Sequence, residues 1–536
     1  MPLLNEKARI RYIFIILLFV PRVCISLQAS DSDVLKDNSL SLIKAVEITM
    51  QVSPVIRAAE QRMEAAAGLF TAAGGQFNTV TQASTGYAVT NQPYAPGGYY
   101  NSDLPSVSTL SSQVVNYQLG LSKLFRTGVQ ITPSVQSVRF SPKGENQQNP
   151  NNSSILNLAV TIPLMRGLGV EAAAAQEIAA SHVFDKTRYE LWQVISTEIQ
   201  KTANAYWSYV AESKGVKIWG MARDRNAKLL ADGERLAIGD VIARSDLNNY
   251  RASLAMAESE FSRAQKKLIQ ARYDLGIIMG ISSEYLENIP LPIDDFPEIN
   301  KKEIQHIHGV LDSAISYSIT HRNDILAAEQ NIRYFQALLV GAENSLKPLV
   351  NLQLNVGYEA LSTNMSAQGI FTDFGQNING PTGGGSVSYQ FPFENDKAIG
   401  QLKQSAASLT EAQIIRENLS RVIFSAVQVS ANDLKQGLRE LEFAQLALTN
   451  RDAAFEAEKR KQLAGLSTVI NVVYVAQNLT DSQLALVQAA KSLASSIVNF
   501  RFATATIFSP GDESRDLDFS RLTTIPNQFE ASLVQK

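Results

Sequence analysis

Short stretches of the chain alternate strictly between apolar and polar residues. Val350, Leu352, Leu354, Val356 and Tyr358 are interleaved with Asn351, Gln353, Asn355 and Gly357, the period of two that a strand with one apolar and one polar face needs. Val387, Tyr389, Phe391 and Phe393 alternate with Ser386, Ser388, Gln390 and Pro392 in the same way, as do Val115, Tyr117, Leu119 and Leu121 with Asn116, Gln118, Gly120 and Ser122. Leu156, Leu158, Val160 and Ile162 follow the same rule. The pattern predicts two strands late in the chain, about 349 to 360 and 384 to 393, and four earlier, about 77 to 90, 113 to 125, 129 to 139 and 154 to 163. Arg126-Thr127-Gly128 reads as a tight hairpin turn; segments 91 to 112, 141 to 153 and 361 to 385, rich in turn-forming residues, read as long loops.

The remaining pattern is helical. No proline interrupts Glu171 to Gly233, Lys397 to Ala464 or Val469 to Ile507, and helices of these lengths reach roughly 60 to 100 Å at 1.5 Å per residue. Leu402, Ala406, Leu409, Ala412, Ile415, Leu419, Val422 and Ala426 step by three or four, predicting a coiled-coil-like stripe with small residues for close packing. Glycines place helix reversals near Gly233 to Gly239 and Gly465 to Ser467.

Both patterns occur twice. Ile56 to Ala73 aligns with Ile325 to Ala342 at an offset of 269 with seven identities in eighteen, and Arg235 to Gly239 aligns with Lys461 to Gly465 at 226. The smaller second offset assigns about 40 extra residues to the first half, between its first and last strands. A long duplication of this kind implies two similar halves, not a solenoid. The expected division is a signal segment at 1–29, a first repeat at 30–282, a linker at 283–305 that includes Pro290, Pro292 and Pro297, a second repeat at 306–509, and a polar tail at 510–536.

Composition narrows the function. The 536 residues are 45% hydrophobic and 18% charged, which suits an ordered chain, and a net charge of −3 excludes a strongly basic nucleic-acid binder. One Cys and four His leave no disulfide scaffold and no Cys-rich zinc site. Mean hydropathy is −0.07, and no apolar run of 18 residues follows the N-terminus, which argues against membrane-spanning helices but not against a β-barrel. Lys7, Arg9 and Arg11 before the apolar run Tyr12 to Val20, with Ser26, Ala29 and Ser30 after it, read as an export signal that carries Cys24 away. The nearly uncharged polar face and the aromatic-rich apolar face of the strands suit a membrane barrel, although a soluble sandwich alternates in the same way. Neither two nor six strands close a membrane-sized barrel, so a barrel requires several chains.

Candidate chemistry is sparse. The Gly-rich stretches lack the GK[ST] of a phosphate-binding loop. His306 and His308 read as surface residues, Asp294, Asp295 and Glu303 as solvated, and Trp192, Trp207 and Trp219 as packing between helices. No catalytic residue, metal site or cofactor is expected.

The order of these features resembles the TolC-type outer-membrane efflux family, over roughly residues 39 to 508. The residues that carry the resemblance are Leu42, Ala45 and Pro54; Ile162-Pro163-Leu164 with Arg166-Gly167-Leu168-Gly169; Arg322, Asp324 and Pro348; and Gly465 with Val469, Val472, Val473 and Ala476. It implies an α+β membrane protein in which a duplicated helix, strand and helical-hairpin repeat joins two other protomers. The three copies then share an outer-membrane β-barrel and a long periplasmic α-helical barrel. The implied partners of this homotrimer are a periplasmic adaptor (membrane fusion) protein, an inner-membrane pump of RND or ABC type, and outer-membrane lipid. The implied role is passive conduction, in efflux or in type I secretion. In the best-known members acidic residues just after the second turn glycine constrict the tunnel tip. Matching from Gly465 puts those positions on Asn471 and Tyr474, which form no carboxylate ring, so three copies of Tyr474 with Asn471 are the expected constriction. Six strands per chain give eighteen in a trimer against the family's usual twelve, unless the hairpin at Arg126 to Gly128 folds outside the barrel. A structural periplasmic coiled-coil protein and a secreted enzyme are the competing classes; the first has no use for alternating strands, and the second lacks a catalytic constellation.

Overall fold

The computed structural model describes residues 39–94, 108–143, 151–239, 242–298, 301–362, 379–508 and 520–526. The predicted signal segment lies outside the described residues. The chain begins with helices α1 (Leu42–Val52) and α2 (Pro54–Gly74), then four strands, β1 (Thr79–Tyr94), β2 (Ser108–Leu124), β3 (Gln130–Lys143) and β4 (Asn151–Pro163). A long hairpin follows, α3 (Ala175–Ile238) and α4 (Leu247–Met279). The same order then recurs with α5 (Lys301–His321), α6 (Asn323–Ser345), β5 (Leu349–Ser362), β6 (Asn379–Gln390), α7 (Asp396–Leu463) and α8 (Val469–Ala503); a short α9 (Ser520–Thr523) comes last. The two aligned sequence runs fall on α2 and α6, which start at Pro54 and Asn323, and their equivalent residues Ile56 and Ile325 are both buried.

All six strands form one antiparallel sheet in the order β1-β2-β3-β4-β5-β6. The hairpin at Arg126 to Gly128 joins β2 to β3 inside that sheet, with Phe125 and Val129 paired across the turn (N to O, 2.8 Å). Several strands are longer than alternation predicts, because hydrogen bonding continues into the turn-rich flanks. β6 is the clearest correction: it begins at Asn379, ahead of the predicted start near 384, and takes in Gly383, which reads as loop in the sequence. At its other end pairing stops at Gln390, opposite Leu349, so Phe391 and Phe393 keep the alternation but lie beyond the strand.

The helices explain their own limits. Ser41 caps α1 by accepting from the Lys44 amide (3.3 Å), and Thr468 caps α8 by accepting from Asn471 (3.4 Å). α7 ends at Gly465 with φ +71°, and the Leu466 amide donates back to Lys461 O (2.8 Å), a Schellman closure that needs the left-handed residue. α3 runs through Gly233 and ends at Ile238, so the predicted reversal falls at the Gly239 end of its range. Gly233 is there for clearance, because a Cβ on it would stand 2.6 Å from the Tyr250 ring of α4. Counted over α3 and α7, 64 and 68 residues give helices of about 96 and 102 Å.

Next to the sheet the helices lie in the order α2-α3-α6-α7; further away the order becomes α4-α3-α8-α7. This change of partner corrects the predicted stripe on α7. Ala412 is buried, but the deeper positions are Ile423, Val427 and Leu434, while Ile415 and Val422 face outward. The largest core gathers α1, the middle of α3, the end of α4 and the linker around Tyr206, Trp207 and Tyr209. Phe296 of the linker lies 5.8 Å from the Trp207 ring, and the linker pairs with the chain start through Leu40 N to Leu291 O (3.2 Å) and Ile293 N to Leu40 O (3.1 Å). The predicted polar tail is partly packed: Leu522 and Ile525 are buried, and Arg501 donates to Thr524 O at 2.6 Å.

Trp207 is fully buried and its ring fills the centre of this core. Trp207→Ala is expected to lower unfolding stability by about 3–5 kcal/mol, measured by denaturant melts of the detergent-solubilised protein.

Candidate functional site

Strand register sorts the sheet into two chemically different faces. Tyr117 and Leu119 of β2 stand beside Thr85 and Ala83 of β1 and beside Ser137 and Val135 of β3. Val135 stands opposite Leu156, Leu156 opposite Tyr358, Leu354 opposite Val160, and Leu352 opposite Val387. One face thus carries apolar residues on all six strands, with Lys123 at its neck end and Ser137, Arg139, Asn152 and Ser154 toward its far end. Many of its large apolar side chains are solvent-exposed in a single chain, Tyr389 by 68% and Val356 by 65%. The other face carries Gln82, Ser84, Asn116, Gln118, Ser134, Gln136, Asn157, Asn355 and Ser388. Glu359 is the one charged residue on that face among the described strand residues, and Ser153 Oγ donates to it at 3.3 Å. An apolar face of this extent is unstable in water, whereas the same face in lipid is satisfied provided no strand edge is left open. β1 and β6 are the two open edges of the sheet.

The sheet meets the helices at a neck built from the predicted motif residues. Leu164 donates to Val350 O (2.7 Å), Arg166 to Pro348 O (3.3 Å), and Gly167 to the Asn344 side-chain oxygen (2.7 Å). Gly169 donates to Thr127 O in the β2–β3 turn (3.1 Å). That turn is clamped from the side. Arg126 makes a bidentate pair with Glu177 at the start of α3 (2.6 and 2.7 Å) and lies 5.0 Å over the Phe77 ring. The hydrogen bonds from Arg126 hold the Glu177 carboxyl below its ordinary pKa of 4.5, against the opposing effect of burial. Gly128 has φ +90°, and a Cβ there would stand 2.0 Å from Gly167 O, so the turn can sit this close only as glycine.

At the opposite end the two helical hairpins pack on each other. Leu229 and Tyr250 from the first join Phe455, Val469, Val472, Ala476 and Leu479 from the second, and Gln462 donates to the Tyr250 hydroxyl. Arg225 of α3 donates to Thr480 of α8 and lies 5.5 Å over Phe455 of α7; burial pushes its pKa down. Asn471 and Tyr474 lie three residues apart on the first turns of α8, on its outward side, and Tyr474 is 65% exposed. Val469, Val472 and Ala476 take the inward side, so Tyr474 does not pack between the helices of its own chain. Exposed Ile238, Leu463, Leu466 and Ile470 complete an apolar tip.

No protein-family model matches this chain, and no curated protein does. Solved structures do. The CmeC outer membrane channel of Campylobacter jejuni superposes with a TM-score of 0.62 at 15% identity, over 89% of this chain and 90% of that one. The outer membrane protein VceC of Vibrio cholerae gives 0.60 at 14% identity, over 86% and 95%. The open state of the MtrE outer membrane channel of Neisseria gonorrhoeae gives 0.57 at 12%, over 86% and 88%. The chain has the outer-membrane channel fold. Within this channel fold, Arg322 and Asp324 act as joints: Arg322 is buried, pairs with Asp324 (2.7 and 3.1 Å), and lies 5.3 Å over Phe502.

Other predicted residues separate from the channel features. Trp207 is core, and Trp192 and Trp219 are half-buried on α3. His306, His308 and Glu303 fall in α5, with side chains outside the described residues. Among the described residues no group of His, Cys, Asp and Glu could hold a metal, and no helix is long and apolar enough to cross a membrane. Asp294 is not simply solvated: it accepts from the Leu42 amide (2.6 Å), capping α1, and lies 2.8 Å from the Tyr206 hydroxyl. Asp295 pairs with Lys214 (2.8 Å), whose hydrogen bond lowers its pKa. The Arg126–Glu177 clamp was also hidden in the sequence, since nothing local marks a partner 51 residues away.

A lowered Glu177 pKa fixes the sign of the clamp's pH dependence. Its contribution is complete above the ordinary 4.5 and is lost as pH falls through the lowered value. At pH 7, Arg126→Ala should therefore speed hydrogen exchange at the Gly169 amide, after correction for intrinsic rates. In acid below the lowered pKa, parent and variant should exchange alike.

Proposed function

We propose that three copies of this chain close one outer-membrane β-barrel, continue it into the periplasm as a helical tunnel, and conduct solutes passively to the exterior. The observation that carries the reading is the six-stranded sheet: it has one largely apolar face, one largely polar face and two open edges, and it is mounted on two helices, α3 and α7, each about 100 Å long. On this reading the apolar face meets lipid, the polar face lines water, and residues 30–282 and 306–509 act as two equivalent repeats. α7 supports side-by-side copies. Exposed Ile415, Val422, Val429 and Phe443 recur at multiples of seven along it, forming a seam that suits a helix of a neighbouring copy. The apolar tip at Ile238, Leu463, Leu466 and Ile470 is the proposed seat of a periplasmic adaptor, which links the tunnel to an inner-membrane pump of RND or ABC type. Energy comes from that pump, and the chain itself is assigned no catalytic role. The fold-level likeness to outer-membrane channels accords with this assignment.

The test uses the full-length protein in its own outer-membrane fraction. Heat-modifiable trimer migration and ion conductance in planar bilayers are expected; a protein that fractionates as a soluble monomer and forms no channels would overturn the reading. Tyr474 is the proposed constriction, with Asn471 beside it on the same helical face. Tyr474→Ala should raise single-channel conductance, and an unchanged conductance would remove Tyr474 from the gate. Three copies of Glu359 would set a ring of carboxylates in the barrel lumen. Glu359→Gln should shift the reversal potential in a KCl gradient toward lower cation preference while leaving trimer migration unchanged.

A further inference from the structure

We infer that β2 and β3 stand in the membrane wall with the other four strands, so that three copies build an eighteen-stranded barrel sealed by β1 of one copy against β6 of the next. The inference rests on the trimeric channel reading above. It concerns what that reading leaves open: whether the additional hairpin belongs to the wall or lies outside it, and hence how wide the barrel is.

The first argument is the register. A hairpin folded away from the barrel has no reason to repeat the lipid-facing pattern, yet Val115, Tyr117, Leu119 and Leu121 of β2 and Ile131 and Val135 of β3 fall on the same face as Leu156, Leu158, Leu354 and Val356, and the charges on that face of the hairpin, Lys123 at the neck end and Arg139 at the far end, bound the apolar row. Asn116, Gln118, Ser134 and Gln136 fall with the polar residues of the other strands. β2 and β3, at 17 and 14 residues, also exceed the 9 to 11 or so that a tilted strand needs to cross a bilayer. At the neck, the Arg126 clamp and the Gly169–Thr127 hydrogen bond fix the β2–β3 turn against α3, at the level where the other strands meet their helices.

The second argument is circumference. Four helices per chain, α2, α3, α6 and α7, reach the neck, where they lead into or out of β1, β4, β5 and β6. Twelve helices spaced about 9 Å apart need a ring of about 110 Å. Eighteen strands 4.8 Å apart and tilted by about 40° need about the same, whereas twelve need only about 75 Å. The additional hairpin makes up that difference, so barrel and tunnel meet with one bore and the neck imposes no narrowing of its own.

The occupant of each open edge is a second copy of this chain. β1 enters the sheet and β6 leaves it at the neck, so the two run antiparallel, and β1 of one copy can hydrogen-bond to β6 of its neighbour without reversal. Their lengths, 16 and 12 residues, suffice to seal the seam across the bilayer. A lumen of eighteen strands is about half again as wide as one of twelve, because diameter grows roughly linearly with strand number. Size selection is then left to the tip.

Single cysteines placed in the full chain, with Cys24→Ser as background, test the wall. Leu119→Cys on β2 and Leu158→Cys on β4 are expected to react with a lipid-soluble maleimide in intact outer membranes and to resist a membrane-impermeant one. Gln118→Cys should react with the impermeant reagent. If Leu158→Cys labels from lipid but Leu119→Cys labels from water, β2 lies outside the wall; the inference fails and the channel reading stands. If neither labels from lipid, the channel reading fails with it. Electron cryomicroscopy of the trimer in nanodiscs should count eighteen strands with β1 beside β6 of the next copy, and a count of twelve would overturn the inference.

Discussion

In hydrocarbon a backbone amide or carbonyl has no water to turn to, so a sheet that faces lipid must close on itself or on its neighbours. Much of this chain follows from that requirement. Its sheet has one face fit for lipid and two edges that its own strands leave open, and both edges begin or end at the neck. Strands therefore come in pairs, four in the first half and two in the second, and every exit from the sheet returns the chain to the side it left. The helical hairpins can then extend in one direction only. Length in this protein belongs to the helices, while the sheet carries the two edges that need a partner.

The neck is where the two geometries are reconciled. Strands and helices differ in lateral spacing by a large factor, and the residues that bridge them are correspondingly specialised. Gly128 and Gly167 both take positive φ, Pro163 ends β4, and Asn344 uses its side chain to hold the Gly167 amide. A charged clamp from Arg126 to Glu177 fixes the one turn that no helix continues. At the far end the rigid contacts, Arg225 to Thr480 and Gln462 to Tyr250, join the hairpins within one chain. Asn471 and Tyr474 are left on the outer side, free of those contacts.

The sequence was most legible where one physical signal dominated. Alternation found β2, β4 and β5 because each has a complete two-faced pattern, and Gly465 marked the end of α7 because a left-handed closure there requires it. It placed the start of β6 late, because Gly383, Gly384 and Gly385 carry no side chain to reveal a face, although their backbones pair with β5. The α7 stripe was misplaced by one position, at Val422 instead of Ile423, because the helix exchanges α6 for α8 along its length and its buried side rotates accordingly. Gly233 suggested a break but serves as clearance for an aromatic ring. Asp294 and Arg126 could not have been found locally, since their partners Leu42 and Glu177 are distant in sequence and meet them only through the fold.

The β2–β3 hairpin also fixes how such a wall can change size. A chain that must leave its sheet on the side it entered can gain strands only in twos, and a threefold assembly multiplies each gain to six. Bore therefore varies in coarse steps, set by whole insertions rather than by gradual substitution. An insertion of this kind needs no new helix and no new partner, only a turn short enough to fit beside an existing helix start, such as the one Gly128 provides against Gly167.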